Sequence, residues 1–258
     1  MGEALLSRLI NQNIYKSSEI IVSEPSSVRR EFLASKYSVQ VVGGNTEVFN
    51  TSGEVVFLAI KPQVFTSVTQ EISSVISQSD FPLIVSILAG VTLRQLEAAF
   101  VGLPVVRAMP NTPATVGAGI TAICAGKDTQ ANHLEKARQL FSAVGEVVEV
   151  SESLMDAVTG LSGSGPAYVA LMVEALADGG VASGLPRPVA QQLALQTVLG
   201  TATLLHETKI HPAELKDRVT SPGGTTIAGI AELEKAAFRS ALIQAVKAAT
   251  DRSQELGK

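Results

Sequence analysis

Along roughly the first 150 positions the apolar residues fall in short runs, and after that they recur at helical spacing. Residues 19–23, 39–42, 54–60 and 83–88 are rich in Val and Ile and are bounded by Gly, Pro, Ser or Asn. Runs of that length without polar alternation predict buried parallel strands. Residues 104–109, 119–124 and 146–150 continue the series. Between them lie helical patterns. Thr92-Leu-Arg-Gln95 reads as a capping box opening a helix through Phe100, with Leu93, Leu96 and Phe100 on its apolar face. Asp128 is placed to cap a further helix whose face is Ala131, Leu134, Ala137, Phe141 and Val144, ending at Gly145. Alternation of this kind predicts an α/β, Rossmann-like domain over residues 1–152.

Past Ser151 the strand pattern stops. Residues 154–160, 167–181, 189–208, 213–218, 227–237 and 240–254 all read as helices, punctuated by Pro186, Pro188 and Pro212. Residues 153–258 therefore form an expected all-α domain. Its stretch 167–205 is apolar on nearly every face and rich in Ala and Gly. A helix without a polar face must be covered all round, and about 100 residues can hardly do that alone. A second copy of the chain is the expected cover.

The start of the chain departs from the pattern. A dinucleotide-binding domain opens with an apolar strand, a Gly-x-Gly-x-x-Gly turn and a helix whose N-terminus meets the pyrophosphate. Here Met1-Gly2-Glu3-Ala4-Leu5-Leu6 leads straight into a helical pattern with Leu9 and Ile10, and Glu24 follows Gly2 by 22 residues. An acidic residue at that distance matches the one that meets the adenosine ribose. Gly2 thus reads as the last glycine of the turn, with the strand and the first two glycines absent.

Composition narrows the function classes. The chain is 46% apolar with only 4% aromatic residues and no Trp, so its packing must come from Ala, Val, Leu and Ile. The formal charge is −4 and Lys and Arg are scattered, which argues against a nucleic-acid partner. The most apolar stretch, near 169–181, carries Glu174 and Asp178, too polar for a bilayer, so no membrane partner is expected. No secretory signal pattern opens the chain. One cysteine, Cys124 in an apolar run, fits a buried thiol and a reducing, cytoplasmic setting. His133, His206 and His211 show no metal-ligand spacing, so no metal is expected.

Five loops are candidates for chemistry. The expected strands 54–60 and 83–88 run into Ala59-Ile60-Lys61-Pro62 and Ala89-Gly90, small residues where ligands of open α/β sheets sit. Residues 107–113, Arg-Ala-Met-Pro-Asn-Thr-Pro, form a stiff loop that serves equally as a turn or a site wall. Leu161 to Tyr168 reads as close helix packing with a kink, or otherwise as a binding wall. The strongest signal is Asp217-Arg-Val-Thr-Ser-Pro-Gly-Gly-Thr-Thr226 before a helix. One Thr would suffice as a cap. Two glycines followed by two threonines at a helix N-terminus suit a small carboxylate.

Taken together, residues 57–62, 107–113, 160–168, 175–180 and 219–226 resemble the pyrroline-5-carboxylate reductases in order and spacing. The resemblance implies a helical C-terminal dimerisation domain, dimers that assemble further into decamers, and NADPH or NADH reducing 1-pyrroline-5-carboxylate to L-proline. It maps cofactor contacts onto Gly2, Ser23, Pro25, Asn45, Ala59, Ile60, Lys61, Pro62, Ile87, Leu88, Ala89 and Arg218. Substrate contacts map onto Glu152, Gly224, Thr225 and Thr226, with Thr226 as the hydroxyl beside the imine nitrogen. Glu24 would favour NADH, whereas Ser23 with Arg29 or Arg30 would accept a 2′-phosphate; the resemblance tips the balance to NADPH. Two competing functions remain. A form lacking the glycine turn could be a dimerising scaffold with impaired catalysis. A 3-hydroxyacid dehydrogenase-like oxidoreductase would need a catalytic Lys in the second domain, and Lys209, Lys216 and Lys235 sit on no apolar helix face.

Overall fold

The computed structural model describes residues 1–51, 53–76 and 83–257. Two compact units emerge: Met1–Gly163 with Ala249–Lys258, and Ser164–Ala248.

The first unit is a Rossmann-like α/β domain. It opens with α1 (Gly2–Asn11), which buries Leu5, Leu6 and Leu9. Then follow β1 (Ile21–Ser23), α2 (Ser27–Tyr37), β2 (Gln40–Val42), α3 (Asn45–Phe49) and β3 (Val55–Leu58). The rest of the layer is α4 (Phe65–Ile76), β4 (Leu83–Ser86), α5 (Leu93–Ala99), β5 (Val105–Met109), β6 (Gly119–Ala125), α6 (Ala131–Ser142) and β7 (Gly145–Glu149). Each expected strand is present. They form two sheets, a parallel pair β1–β2 and a five-stranded sheet in the order β3-β4-β5-β6-β7.

The core follows from strand alternation. Successive residues of a strand face opposite sides. Ile84, Val105, Ala122 and Cys124 therefore pack with Leu96 and Phe100 on one face of the larger sheet. Val85, Val106 and Ile123 pack with Leu5, Ala137, Phe141 and Val144 on the other. All four residues of β4 are buried, as a strand covered on both faces requires. Cys124 is buried too, and burial pushes its thiol up to about 12.

Two local expectations need correcting. The strand at 119–125 pairs antiparallel with β5, with Arg107 opposite Cys124. Only the residues 110–118 join the two, and a parallel crossover needs a dozen or more. The cap of α6 is Gln130, not Asp128; its N–H donates to His133 Nδ1 at 3.1 Å. Thr92 does cap α5, its hydroxyl accepting from Gln95 N at 3.3 Å.

The chain leaves the sheet through α7 (Met155–Val158) and a π-turn at Thr159–Gly163, where the kink was expected. The second unit contains α8 (Gly165–Ala182), α9 (Arg187–Thr208), α10 (Pro212–Arg218), α11 (Thr225–Lys235) and most of α12 (Phe238–Leu256). Helices α8 and α9 meet through Ala177, Ala190 and Ala194. A Cβ on Gly180 would lie 3.1 Å from that of Ala190, so the glycine sets how closely the helices approach. Leu171, Leu193, Leu195 and Leu199 of the same pair remain exposed. No helix among the described residues is long and apolar enough to cross a membrane.

Candidate functional site

Parallel strands of one unit end at a common edge, and the expected cofactor residues other than Arg218 belong to that unit. Ser23 closes β1; its hydroxyl donates to Asn45 Oδ1 at 2.9 Å. Asn45 opens α3 and is held by Glu71, whose carboxylate accepts from Asn45 N at 2.9 Å and Asn45 Nδ2 at 2.7 Å. Those two donors keep the Glu71 carboxyl below the usual carboxylate range. Glu71 carried no sequence signal, because it lies on a solvent-facing turn of α4.

Gly2 begins α1 beside Ala59, the residue after β3. A Cβ on Gly2 would sit 3.1 Å from that of Ala59, so a larger residue would push the helix off the strand end. Met1 makes no side-chain cap, which leaves the first N–H groups of α1 directed outward. Glu3, in that first turn, accepts from Tyr37 Oη at 2.7 Å, from Lys36 Nζ at 3.1 Å and from Arg29. These donors, Tyr37 foremost, hold its carboxyl at about 2. Arg30 Nη1 donates to the carbonyls of Glu24 at 3.0 Å and Pro25 at 2.8 Å, laying its guanidinium along the β1–α2 loop. The Glu24 carboxylate accepts from Ser26 N at 3.0 Å.

A cavity of about 510 Å³ includes Gly2, Ser23, Asn45, Ala59 and Ile60 in its wall. Pro25, Lys61, Pro62, Ile87, Leu88 and Ala89 are not part of that wall. Lys61 and Pro62 follow β3 into a short turn, and Ile87 N donates to Leu58 O at 3.2 Å, which ties the two strand-end loops together. Leu88 is a core residue, so only its main chain is available to a ligand. Most of the cavity wall is apolar strand and α1 leucine, unsuited to a pyrophosphate. Its polar rim, with the uncapped start of α1, fits a nicotinamide dinucleotide.

Glu152 and Arg107 form a substantially buried ion pair at the sheet edge. Arg107 Nη1 lies 3.0 Å from Glu152 Oε1, and the Arg side chain keeps only 7% of its surface. The same oxygen accepts from Leu93 N at 2.5 Å, at the start of α5. Asn111 Oδ1 accepts from Ile120 N at 3.0 Å and its Nδ2 donates to Ser162 O at 3.2 Å, so the Pro-rich loop is tied to the π-turn.

The remaining candidates belong to the helical unit. Gly223 has φ +67 and Gly224 precedes α11 as its N-cap without any side-chain cap. A Cβ on Gly224 would come within 2.3 Å of Ser221 Oγ. Thr225 and Thr226 occupy the first two helical positions and are exposed. Arg218 ends α10 and donates to Glu214 Oε1 at 2.6 Å. His133 and His211 accept at helix starts, and no cluster of metal-binding side chains occurs among the described residues.

Comparison with known proteins bears on this arrangement. Residues 152–256 match the family model "Pyrroline-5-carboxylate reductase dimerisation", and residues 1–90 match "NADP oxidoreductase coenzyme F420-dependent". A pyrroline-5-carboxylate reductase of Synechocystis sp. is 60% identical over 258 residues, 100% of this chain and 95% of the relative. The solved structure of the Coxiella burnetii pyrroline-5-carboxylate reductase is 36% identical with a TM-score of 0.91, covering 100% of this chain and 95% of that one. The Plasmodium falciparum pyrroline carboxylate reductase, solved with NADP bound, is 32% identical with a TM-score of 0.89 and the same coverage.

Proposed function

The chain belongs to the pyrroline-5-carboxylate reductases, and from that premise we propose which of its residues carry the reduction of 1-pyrroline-5-carboxylate to L-proline. It is an NAD(P)-dependent oxidoreductase that self-associates through its helical domain. The observation that carries the substrate assignment is the start of α11. There Gly223 and Gly224 bring an uncapped helix N-terminus and two threonine hydroxyls to one place.

Reduction of a cyclic imine needs no nucleophile, only an oriented nitrogen and a hydride donor held close. The N–H groups of Thr225 and Thr226 hold the substrate carboxylate, with the helix dipole favouring its charge. Thr226 Oγ hydrogen-bonds the ring nitrogen and keeps it aligned while it gains its proton. Glu152 contributes through Oε2, since Oε1 is held by Arg107 and Leu93 N. Gly2, Ser23, Pro25, Asn45, Ala59 to Pro62 and Ile87 to Ala89 would hold the nicotinamide dinucleotide, whose chemistry when bound would be hydride donation to C5. Arg218 is assigned to the cofactor as well. NADPH is the preferred donor: Arg30 lies along the β1–α2 loop beside Ser23, while the Glu24 carboxylate is turned to Ser26 N. The setting is cytoplasmic, consistent with a single buried thiol, and dimers assemble into a decamer.

Mixing the purified chain with 1-pyrroline-5-carboxylate and NADPH tests this directly. Nicotinamide absorbance should fall as proline accumulates. Consumption of cofactor without proline would overturn the assignment.

A further inference from the structure

Glu71 lies outside the cavity wall but is bonded to Asn45, which lines it. The two ends of an Asn amide differ only in that one donates and the other accepts, so its neighbours decide which way it turns. Here the choice is forced. The Glu71 carboxylate, held ionised by the donors around it, can only accept. One of its oxygens takes Asn45 N at 2.9 Å and the other takes Asn45 Nδ2 at 2.7 Å. The amide oxygen must therefore face Ser23. The Ser23 hydroxyl has a single proton and donates it to Asn45 Oδ1 at 2.9 Å. What Ser23 keeps for a ligand is lone pairs. Those suit a ribose 2′-hydroxyl, which can donate, whereas a 2′-phosphate offers acceptors and needs a donor.

We propose that Glu71 is a positioning residue for cofactor choice: by fixing the Asn45 amide it holds Ser23 as an acceptor, and so keeps NADH usable against the preference for NADPH that Arg30 confers. This rests on the assignment of Ser23 and Asn45 to the cofactor. Glu71→Gln reverses the polarity of the relay with almost no change of shape. The Gln oxygen stays on Asn45 N, which the first position of α3 holds in place, and its Nε2 then faces the Asn45 side chain. Two donors cannot pair, so the Asn45 amide turns over. Its Oδ1 accepts from the Gln, its Nδ2 donates to Ser23 Oγ, and the Ser23 proton is released for a phosphate oxygen.

Calorimetric titration of the natural chain and of Glu71→Gln with NAD+ and with NADP+ tests it apart from turnover. The ratio of the two dissociation constants should move about 10-fold toward NADP+ in the variant, as one hydrogen bond to a charged group contributes. At saturating NADPH kcat should not change. Loss of a negative charge also favours a phosphate, so both titrations are repeated with Ser23→Ala in each chain. There the shift should vanish. A shift of the same size without the Ser23 hydroxyl would overturn the proposal, as would an unmoved ratio with it present. Nuclear magnetic resonance of the nucleotide-free protein supplies a second readout. In the natural chain the Asn45 Nδ2 proton facing the carboxylate should be shifted downfield at neutral pH, and Glu71→Gln should lose that shift. An unshifted resonance in the natural chain would sink the proposal even if no variant folds. Failure of every chain to bind either nucleotide would overturn the cofactor reading and this inference with it, whereas binding with an unmoved ratio removes only the role of Glu71.

Discussion

Thr226 and Glu3 illustrate two different ways in which one side chain matters. Thr226 is exposed at the start of α11, so the role we propose for it is chemical rather than structural. Replacing it with Ala or Val should lower kcat by about 100-fold, whereas Ser should retain most activity, as single oriented hydrogen-bonding groups contribute at that level. Steady-state kinetics on the three variants checks it. Glu3 is held ionised by Tyr37, Arg29 and Lys36, its carboxyl at about 2 against an ordinary 4.5. A depressed carboxyl contributes stability that is complete above the ordinary value and is lost as pH falls from 4.5 toward 2. Glu3→Gln should therefore flatten the acid limb of the stability curve. Because the pair is partly solvated, its neutral-pH cost should stay below about 1 kcal/mol. Urea midpoints of both proteins between about pH 5 and about pH 3 would show it. The threonines were visible in the sequence through the two glycines before them. Glu3 was not, since Arg29, Lys36 and Tyr37 meet it only once α2 packs on α1.

Helix ends are where elements become sites. Gly223, at φ +67, turns the chain into α11, and a β-branched residue there is strained. Gly223→Val should raise the KM for 1-pyrroline-5-carboxylate by about 10-fold or more and cost at least about 1 kcal/mol, read from kinetics and thermal unfolding together. At the other site, Glu152 anchors both β5 and the start of α5 through one oxygen. Arg107→Met should destabilise the α/β unit by about 2–4 kcal/mol, below the full cost of a wholly buried pair because Glu152 keeps 35% of its surface. A urea midpoint unchanged by Arg107→Met would contradict that role. The strands and the Thr92 capping box were legible from local pattern alone. The pairing direction of β6 was not, because it depends on how short a connection the chain must make.

At the scale of the whole molecule the exposed leucines of α8 and α9 are the clearest unfinished business of a single chain. Leu195 and Leu199 keep 59% and 56% of their surface on helices with almost no polar face. We expect self-association to cover them. Leu195→Glu with Leu199→Glu should convert the assembly to monomer in sedimentation and lower the unfolding temperature, since a dimer interface of this kind is apolar and buried charge there is costly. Unchanged sedimentation would place the interface elsewhere.

The family, the alternation of strands and helices, the need for a second copy and the Gly-Gly-Thr-Thr turn follow from sequence, because each is a property of neighbours along the chain. Period, capping and turn chemistry act over a few residues and leave a local signature. The grip of Glu71 on Asn45 and the Arg107–Glu152–Leu93 junction were decided only by tertiary structure. Those contacts join residues 26, 45 and 59 positions apart. No local pattern records which distant donor a carboxylate will meet.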